Sequence, residues 1–128
     1  MLKRIRLAAL GNVGAGVLAN LAEDLAFAFE AEVSIGPPLE HPQYAYDSKR
    51  KQYHSTAMLS RLKGVPLQEG ERLLGIVDLD LYIPGLNFVF GEADVEERVA
   101  VISLWRLRQE YYGLPPDERL FGLRTLKE

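Results

Sequence analysis

The chain has 128 residues, 48% of them hydrophobic and 26% charged, with a formal net charge of −3. This length and balance predict one globular domain, and the net charge argues against broad nucleic-acid binding. The chain has no cysteine and only two histidines, His41 and His54. These counts exclude a disulfide framework, a thiolate zinc cluster, a cysteine nucleophile and any site that needs three imidazoles from this chain.

The first half of the sequence alternates between strand and helix patterns. Residues 5–10 form a short apolar run, which predicts a buried strand. Apolar residues then recur at helical spacing over residues 16–30, and residues 32–35 alternate as a second strand. No run of about 18 apolar residues is present, so the sequence predicts no membrane association. The lack of cysteine is typical of a reducing compartment, and we expect a cytoplasmic protein.

After a loop over residues 36–47, the pattern predicts a second helix over residues 49–62, with Ser48 as its cap. Three strand-like stretches follow, at 72–82, 86–93 and 98–105. The connections between these stretches are too short for a parallel crossover, so the stretch at 86–93 must run antiparallel. The sequence therefore predicts an α/β fold: a twisted mixed sheet of about five strands, one antiparallel edge strand and two to three helices.

The end of the sequence predicts a further helix. Two prolines at 115–116 and the acidic pair Asp117 and Glu118 are typical of a helix start. Apolar residues then follow at helical spacing up to Glu128, and no glycine or proline closes the pattern. We interpret the chain as ending inside an element.

Several groups of residues permit both a functional and a structural interpretation. Gly11, Gly14 and Gly16 lie between a strand and a helix, where they form either a phosphate cradle or a tight turn. Asp78 and Asp80 share one face of a strand and are either a metal-binding pair or a pair stabilised by donors. Four further residues permit either chemistry or ordinary packing: His41, Asp47 and His54 as a metal group, and Ser55 as a nucleophile.

Charge is divided unevenly along the chain. Residues 47–63 hold five basic side chains against one acid, with three tyrosines nearby, whereas residues 69–97 hold eight acids against one arginine. The basic stretch is compatible with a nucleic-acid surface. The acidic stretch argues against it, because salt bridges between the two would neutralise both, and we predict no nucleic-acid partner.

Three strings resemble the archaemetzincins, a branch of the metzincin zinc metallopeptidases. They are YDSKRKQYHSTA at 46–57, DLDLYIPGLNFVFGEA at 78–93 and YYGLPPDE at 111–118. The resemblance covers essentially the whole chain, and the second string is its most specific part. It implies that residues 1–128 are one domain, the N-terminal subdomain of a metzincin-like peptidase, ending inside the would-be active-site helix.

The resemblance also implies which parts of the site this sequence lacks. The family's zinc motif, H-E-x-x-H-x-x-G-x-x-H, is absent from the sequence, so we expect no catalytic and no metal-binding residue here. The family's antiparallel edge strand borders the cleft. By resemblance, five residues of this chain would offer backbone groups to an extended peptide: Asn87, Phe88, Val89, Phe90 and Gly91.

The function predicted by the resemblance is that of the N-terminal part of a zinc-dependent metallopeptidase. Zinc and a peptide substrate are expected for the parent protein, whereas this truncated chain alone is expected to be inactive and without zinc. Two alternatives from other classes stay open. One is a non-catalytic interaction module that self-associates through an exposed apolar face. The other is a small phosphate-binding protein that uses Gly11, Gly14 and Gly16.

Overall fold

The computed structural model describes residues 3–107. A five-stranded mixed sheet has the strand order β2-β1-β5-β8-β7. Its strands are β1 (Lys3–Ala9), β2 (Ala31–Ile35), β5 (Glu71–Val77), β7 (Gly91–Asp94) and β8 (Val99–Ser103). The first four in spatial order are parallel, and β7 runs antiparallel to β8. The predicted α/β class and the antiparallel edge strand are confirmed.

One face of the sheet is covered by helix α1 (Ala15–Phe29). Its buried leucines are spaced three and four residues apart and form one stripe, at Leu18, Leu21 and Leu25. The helix ends where Glu30 adopts a left-handed conformation, with φ 50°, and its amide bonds to Ala26. This end agrees with the predicted helix at 16–30.

The other face carries helix α2 (Ser55–Leu62) and a second sheet. This sheet joins β3 (Tyr46–Asp47), β4 (Gln52–His54) and β6 (Leu81–Tyr82) in the order β3-β4-β6. Two short 3₁₀ helices, at Gln43–Ala45 and Trp105–Leu107, complete the described elements. Helix α2 packs close to the main sheet at Gly75, where an added Cβ would lie 2.9 Å from Leu62 Cδ1.

The predicted helix over residues 49–62 is wrong in its first half. The Asp47 carboxylate accepts the amides of Lys49 and Arg50, at 2.9 and 3.0 Å, and these bonds stabilise a turn instead of a helix. The amide of Arg50 is also the main reason why the pKa of Asp47 is lowered. Lys51 then adopts φ 56°, and the chain returns as β4 before α2 begins at Ser55.

The predicted strands 72–82 and 86–93 are also shorter in the structure. Residues 72–82 divide between β5 and β6, in different sheets, because the chain turns at 78–80, where the Asp80 carbonyl accepts the amide of Tyr53. Of residues 86–93, only the last three lie in a strand of the main sheet, β7, which ends one residue later at Asp94. The predicted C-terminal helix lies outside the described residues.

Candidate functional site

Strand β7 forms one edge of the main sheet and leaves backbone groups open on its outer side. The amide of Ser103 donates to the Phe90 carbonyl at 2.8 Å. Hydrogen-bonded pairs alternate along an antiparallel ladder, so the next such pair is Glu92 with Val101. The backbone groups of Gly91 and Ala93 therefore point away from β8. No other strand among residues 3–107 pairs with this side of β7.

Gly91 approaches β8 more closely than a residue with a side chain could. A Cβ added at this position would lie 2.5 Å from the Val101 carbonyl oxygen and 3.1 Å from Ile102 Cγ2. The first of these atoms belongs to the backbone and has no rotamer with which to move away. Glycine at this position is therefore required by the pairing of the edge strand.

The start of helix α2 is tied to β7 through a single carboxylate. Ser55 is fully buried, and its hydroxyl donates to Glu92 Oε1 at 2.6 Å. The hydroxyl of Thr56 donates to the same oxygen at 2.9 Å. An acidic group is favoured at this end of a helix, because the helix dipole is positive here. Ser55 thus holds Glu92, and because its side chain is fully buried it cannot reach a substrate carbonyl, which argues against a serine nucleophile.

The end of helix α2 is tied to the same strand by an ion pair. Lys63, just after α2, lies with its Nζ 2.8 Å from Asp94 Oδ2. This hydrogen bond is the main reason why the pKa of Asp94 is lowered and that of Lys63 is raised. Glu92 and Asp94 are two residues apart and share one face of β7, so both ends of α2 hold the edge strand.

The five residues predicted to bind a peptide occupy different positions in the structure. Gly91 begins β7, whereas the other four precede it. The amide of Val89 already donates to the Leu81 carbonyl at 2.9 Å, and the Asn87 carbonyl accepts Gln52 Nε2 at 2.8 Å. Phe88 and Phe90 contact each other edge to face, with 5.2 Å between their centroids. The open backbone groups are thus at Gly91 and at Ala93, which the sequence prediction did not include.

A depression of about 460 Å³ runs beside β7. Three apolar side chains of its lining, Leu74, Phe90 and Ile102, belong to the cluster of side chains that packs with α1. The depression therefore lies on the α1 side of the sheet, next to the backbone groups of Gly91 and Ala93. It offers apolar contact to a side chain of any segment paired with the edge.

Asp78 and Asp80 lie in the bend between β5 and β6, so the prediction that they share one face of a strand is wrong. Asp80 receives a bidentate bond from Arg106, with nitrogen–oxygen distances of 2.7 and 2.9 Å, and a third bond from Gln52. These donors stabilise the charge of Asp80, which favours the structural interpretation of the pair. Sequence reasoning missed Arg106 as the partner, because it is 26 residues away from Asp80.

The two histidines lie in different surroundings. His41 Nε2 is 3.2 Å from the Tyr53 hydroxyl. The ring of His54 is stacked on Tyr82, and its Nε2 is buried without a hydrogen-bond partner. Within residues 3–107, no three histidine, aspartate or glutamate side chains come together as a metal group.

The glycine-rich turn and the basic stretch also have partners within the fold. The amide of Gly11 donates to the Leu39 carbonyl at 3.2 Å, so this amide is not directed towards a ligand. In the basic stretch, Arg61 pairs with Glu40 at 3.0 Å, and Lys63 pairs with Asp94 as described. Among the described helices, none is long and apolar enough to cross a membrane.

Comparison with known proteins identifies the family. Over all 128 residues, the sequence is 40% identical to the archaemetzincin of Methanocaldococcus jannaschii, and it covers 69% of that protein. The chain belongs to the archaemetzincin family. The archaemetzincin of Pyrococcus abyssi is 37% identical to this chain. The alignment again spans the whole of this chain, and it covers 71% of the Pyrococcus protein. No family model matches the sequence.

Solved structures agree with this assignment to the archaemetzincins. The archaemetzincin of Archaeoglobus fulgidus, crystallised with malonate, has a TM-score of 0.81 and 33% identity, over 98% of this chain and 72% of that one. A zinc-dependent peptidase of Methanocorpusculum labreanum has a TM-score of 0.83 and 27% identity, over 97% of this chain and 75% of that one. Both the resemblance and the fold predicted from the sequence are confirmed.

Proposed function

We propose that this chain is the substrate-binding sheet of an archaemetzincin-type zinc metallopeptidase and binds extended peptide along β7. The observation that carries the proposal is the edge of that strand, where the backbone groups of Gly91 and Ala93 have no partner strand among residues 3–107. An extended peptide pairs with such an edge through its own amides and carbonyls. The alignment of the whole chain with archaemetzincins supports the same function.

The five residues predicted from the sequence take different parts in this proposal. Gly91 binds peptide directly through its backbone, together with Ala93. Phe90 provides apolar surface beside the edge. Asn87, Phe88 and Val89 belong to the segment that precedes the strand and do not bind peptide directly. The opposite edge, β2, is also without a second partner strand among the described residues, so the test must distinguish the two edges.

A titration followed by nuclear magnetic resonance tests this proposal. The ¹⁵N-labelled chain is titrated with acetyl-Val-Ala-Val-Ala-Val-amide, a blocked peptide that favours an extended conformation. We expect saturable shifts of the amide signals of Gly91 and Ala93. The same peptide N-methylated at alternate nitrogens lacks half of its donors and should bind more weakly. Absence of shifts at β7, or shifts confined to β2, would contradict the proposal.

The second part of the proposal is that this sequence by itself binds no catalytic zinc and cleaves no peptide. Two observations support it: H-E-x-x-H is absent from the sequence, and residues 3–107 bring no three candidate metal ligands together. A quenched fluorescent peptide library incubated with the chain and zinc salt should give no more cleavage than zinc salt alone. Cleavage that depends on the chain and stops on addition of a chelator would contradict this part.

A second candidate function, self-association through an apolar face, is favoured by one observation. Phe27 is 90% exposed and Phe29 is 50% exposed, both near the end of α1. Residues two positions apart on a helix point in different directions, so this candidate depends on Phe27, whose side chain is the more exposed of the two. Light scattering of the wild type and of Phe27→Ser should then show a dimer that the substitution weakens. A monomer in both cases would contradict this candidate.

A further inference from the structure

The hairpin β3–β4 contacts the segment that leads into the edge strand, and the contact centres on Arg50. The guanidinium carbon of Arg50 lies 4.0 Å from the centroid of the Tyr82 ring. Its Nη2 donates to the Leu86 carbonyl at 2.6 Å, and its Nε donates to Gln52 at 3.0 Å. The side chain of Arg50 thus contacts the hairpin, strand β6 and the segment that precedes β7.

Gln52 extends this contact by one residue along the chain. It is buried, and its amide nitrogen donates to the Asn87 carbonyl at 2.8 Å and to Asp80 at 3.0 Å. The carbonyls of Leu86 and Asn87 are consecutive, and each is bound by a side chain of the hairpin. This arrangement fixes the course of the backbone four residues before Gly91.

The two bound carbonyls also divide the segment into two parts with different roles. Residues 86–87 direct their carbonyls to Arg50 and Gln52, and Val89 directs its amide to Leu81. At Gly91 and Ala93 the backbone groups turn to the open side of β7. The first part is held so that the second part stays extended and accessible.

We infer that Arg50 is a positioning residue of the peptide-binding edge. It holds the backbone at residues 86–87 in place, and thereby sets the orientation of the open backbone groups of Gly91 and Ala93. This inference rests on the proposed function of β7. The guanidinium is suited to the role because it stacks on an aromatic ring while its planar donors form directed hydrogen bonds. A lysine at this position would keep the charge but lose the fork of donors.

The test repeats the peptide titration with Arg50→Ala and Arg50→Lys. The matched control is Arg61→Ala, because Arg61 is also exposed and stacks on a tyrosine, with 4.4 Å between its guanidinium carbon and the Tyr44 centroid. We expect Arg50→Ala to raise the peptide Kd about ten-fold, with an intermediate rise for Arg50→Lys. Arg61→Ala should leave the Kd within about two-fold of the wild type.

Two readouts separate positioning from a general contribution to folding. The Tm of Arg50→Lys should stay close to that of Arg61→Ala, while its Gly91 and Ala93 amide signals move in the absence of peptide. Equal Kd values for the wild type and both Arg50 variants would overturn the inference and leave the proposed function intact. If the wild type itself binds no peptide at β7, the proposed function fails instead. If Arg50→Ala does not fold, Arg50→Lys decides.

Discussion

At the residue scale, the edge strand depends on the absence of a side chain at position 91. The Val101 carbonyl oxygen would lie 2.5 Å from a Cβ there, and it is fixed by the ladder between β7 and β8. Gly16 is a useful contrast, because it lies in α1 and an added Cβ would meet nothing within 4 Å. The same substitution therefore has opposite consequences at the two positions.

We predict that Gly91→Ala lowers the free energy of unfolding by about 1–3 kcal/mol, the usual cost of overpacking. Gly16→Ala should raise it by at most about 1 kcal/mol, because alanine is the better helix former. Urea denaturation of both variants measures the two changes. An unchanged midpoint for Gly91→Ala would show that β7 does not approach β8 as closely as the structure indicates.

The ion pair of Asp94 with Lys63 gives stability that depends on pH. The bond to Lys63 lowers the pKa of Asp94 below its usual 3.8. The ionised carboxylate therefore adds to the free energy of unfolding above that pH, and this stabilisation is lost as the pH falls through the lowered pKa. The bond to Asp94 raises the pKa of Lys63 above 10.5, so this contribution is present below that pH and is lost as the pH rises further.

We predict that Asp94→Asn lowers the Tm at pH 7. The difference in Tm between this variant and the wild type should disappear as the pH falls below 3.8. In the wild type, the backbone amide of Glu97 donates to Asp94 Oδ1 at 3.1 Å. The asparagine side chain keeps an oxygen that can accept this bond, so the variant removes only the ion pair with Lys63. Asp24→Asn, an exposed position on α1, is the control. A difference that persists unchanged into acid would contradict this assignment.

At the element scale, helix α2 and strand β7 stabilise each other. The Glu92 carboxylate accepts hydroxyl bonds from Ser55 and Thr56 at the start of α2, while Asp94 pairs with Lys63 just after its end. A short helix of 8 residues has little stability of its own and depends on such contacts. The edge strand is therefore held by two side chains on one of its faces.

We predict that Glu92→Gln destabilises the chain by about 1 kcal/mol, because the amide keeps an acceptor but loses the charge that the helix dipole favours. Glu96→Gln, at an exposed position after β7, is the matched control. Amide exchange should become faster at residues 58–62, whose amides bond within α2, in the first variant only. Equal exchange in the two variants would contradict the role given to Glu92.

Element boundaries were predictable where burial alone decides them. The strand at 5–10 and the helix at 16–30 match β1 and α1 to within two residues, because their apolar stripes meet a core. The helix over 49–62 was wrong because Asp47 binds two backbone amides and turns the chain. Such local competition between side chain and helix leaves no trace in hydrophobic periodicity.

At the scale of the whole molecule, the family and the antiparallel edge could be predicted from the sequence, but the details of the site could not. The strings at 46–57 and 78–93 carry the resemblance, and in the structure they meet through Arg50, Gln52 and Glu92. These contacts join residues 35 to 37 positions apart, and no spacing rule reports them. The open groups at Ala93 likewise follow only from the ladder register.

We propose that this sequence carries a peptide-binding edge strand and by itself holds no catalytic zinc ion, and the second part can be measured directly. The most direct measurement is the zinc content of the purified 128-residue chain after dialysis, by elemental mass spectrometry. We predict far less than one zinc ion per chain, because residues 3–107 hold no metal group of three ligands and H-E-x-x-H is absent from the sequence. One zinc ion per chain, retained through dialysis, would contradict the claim.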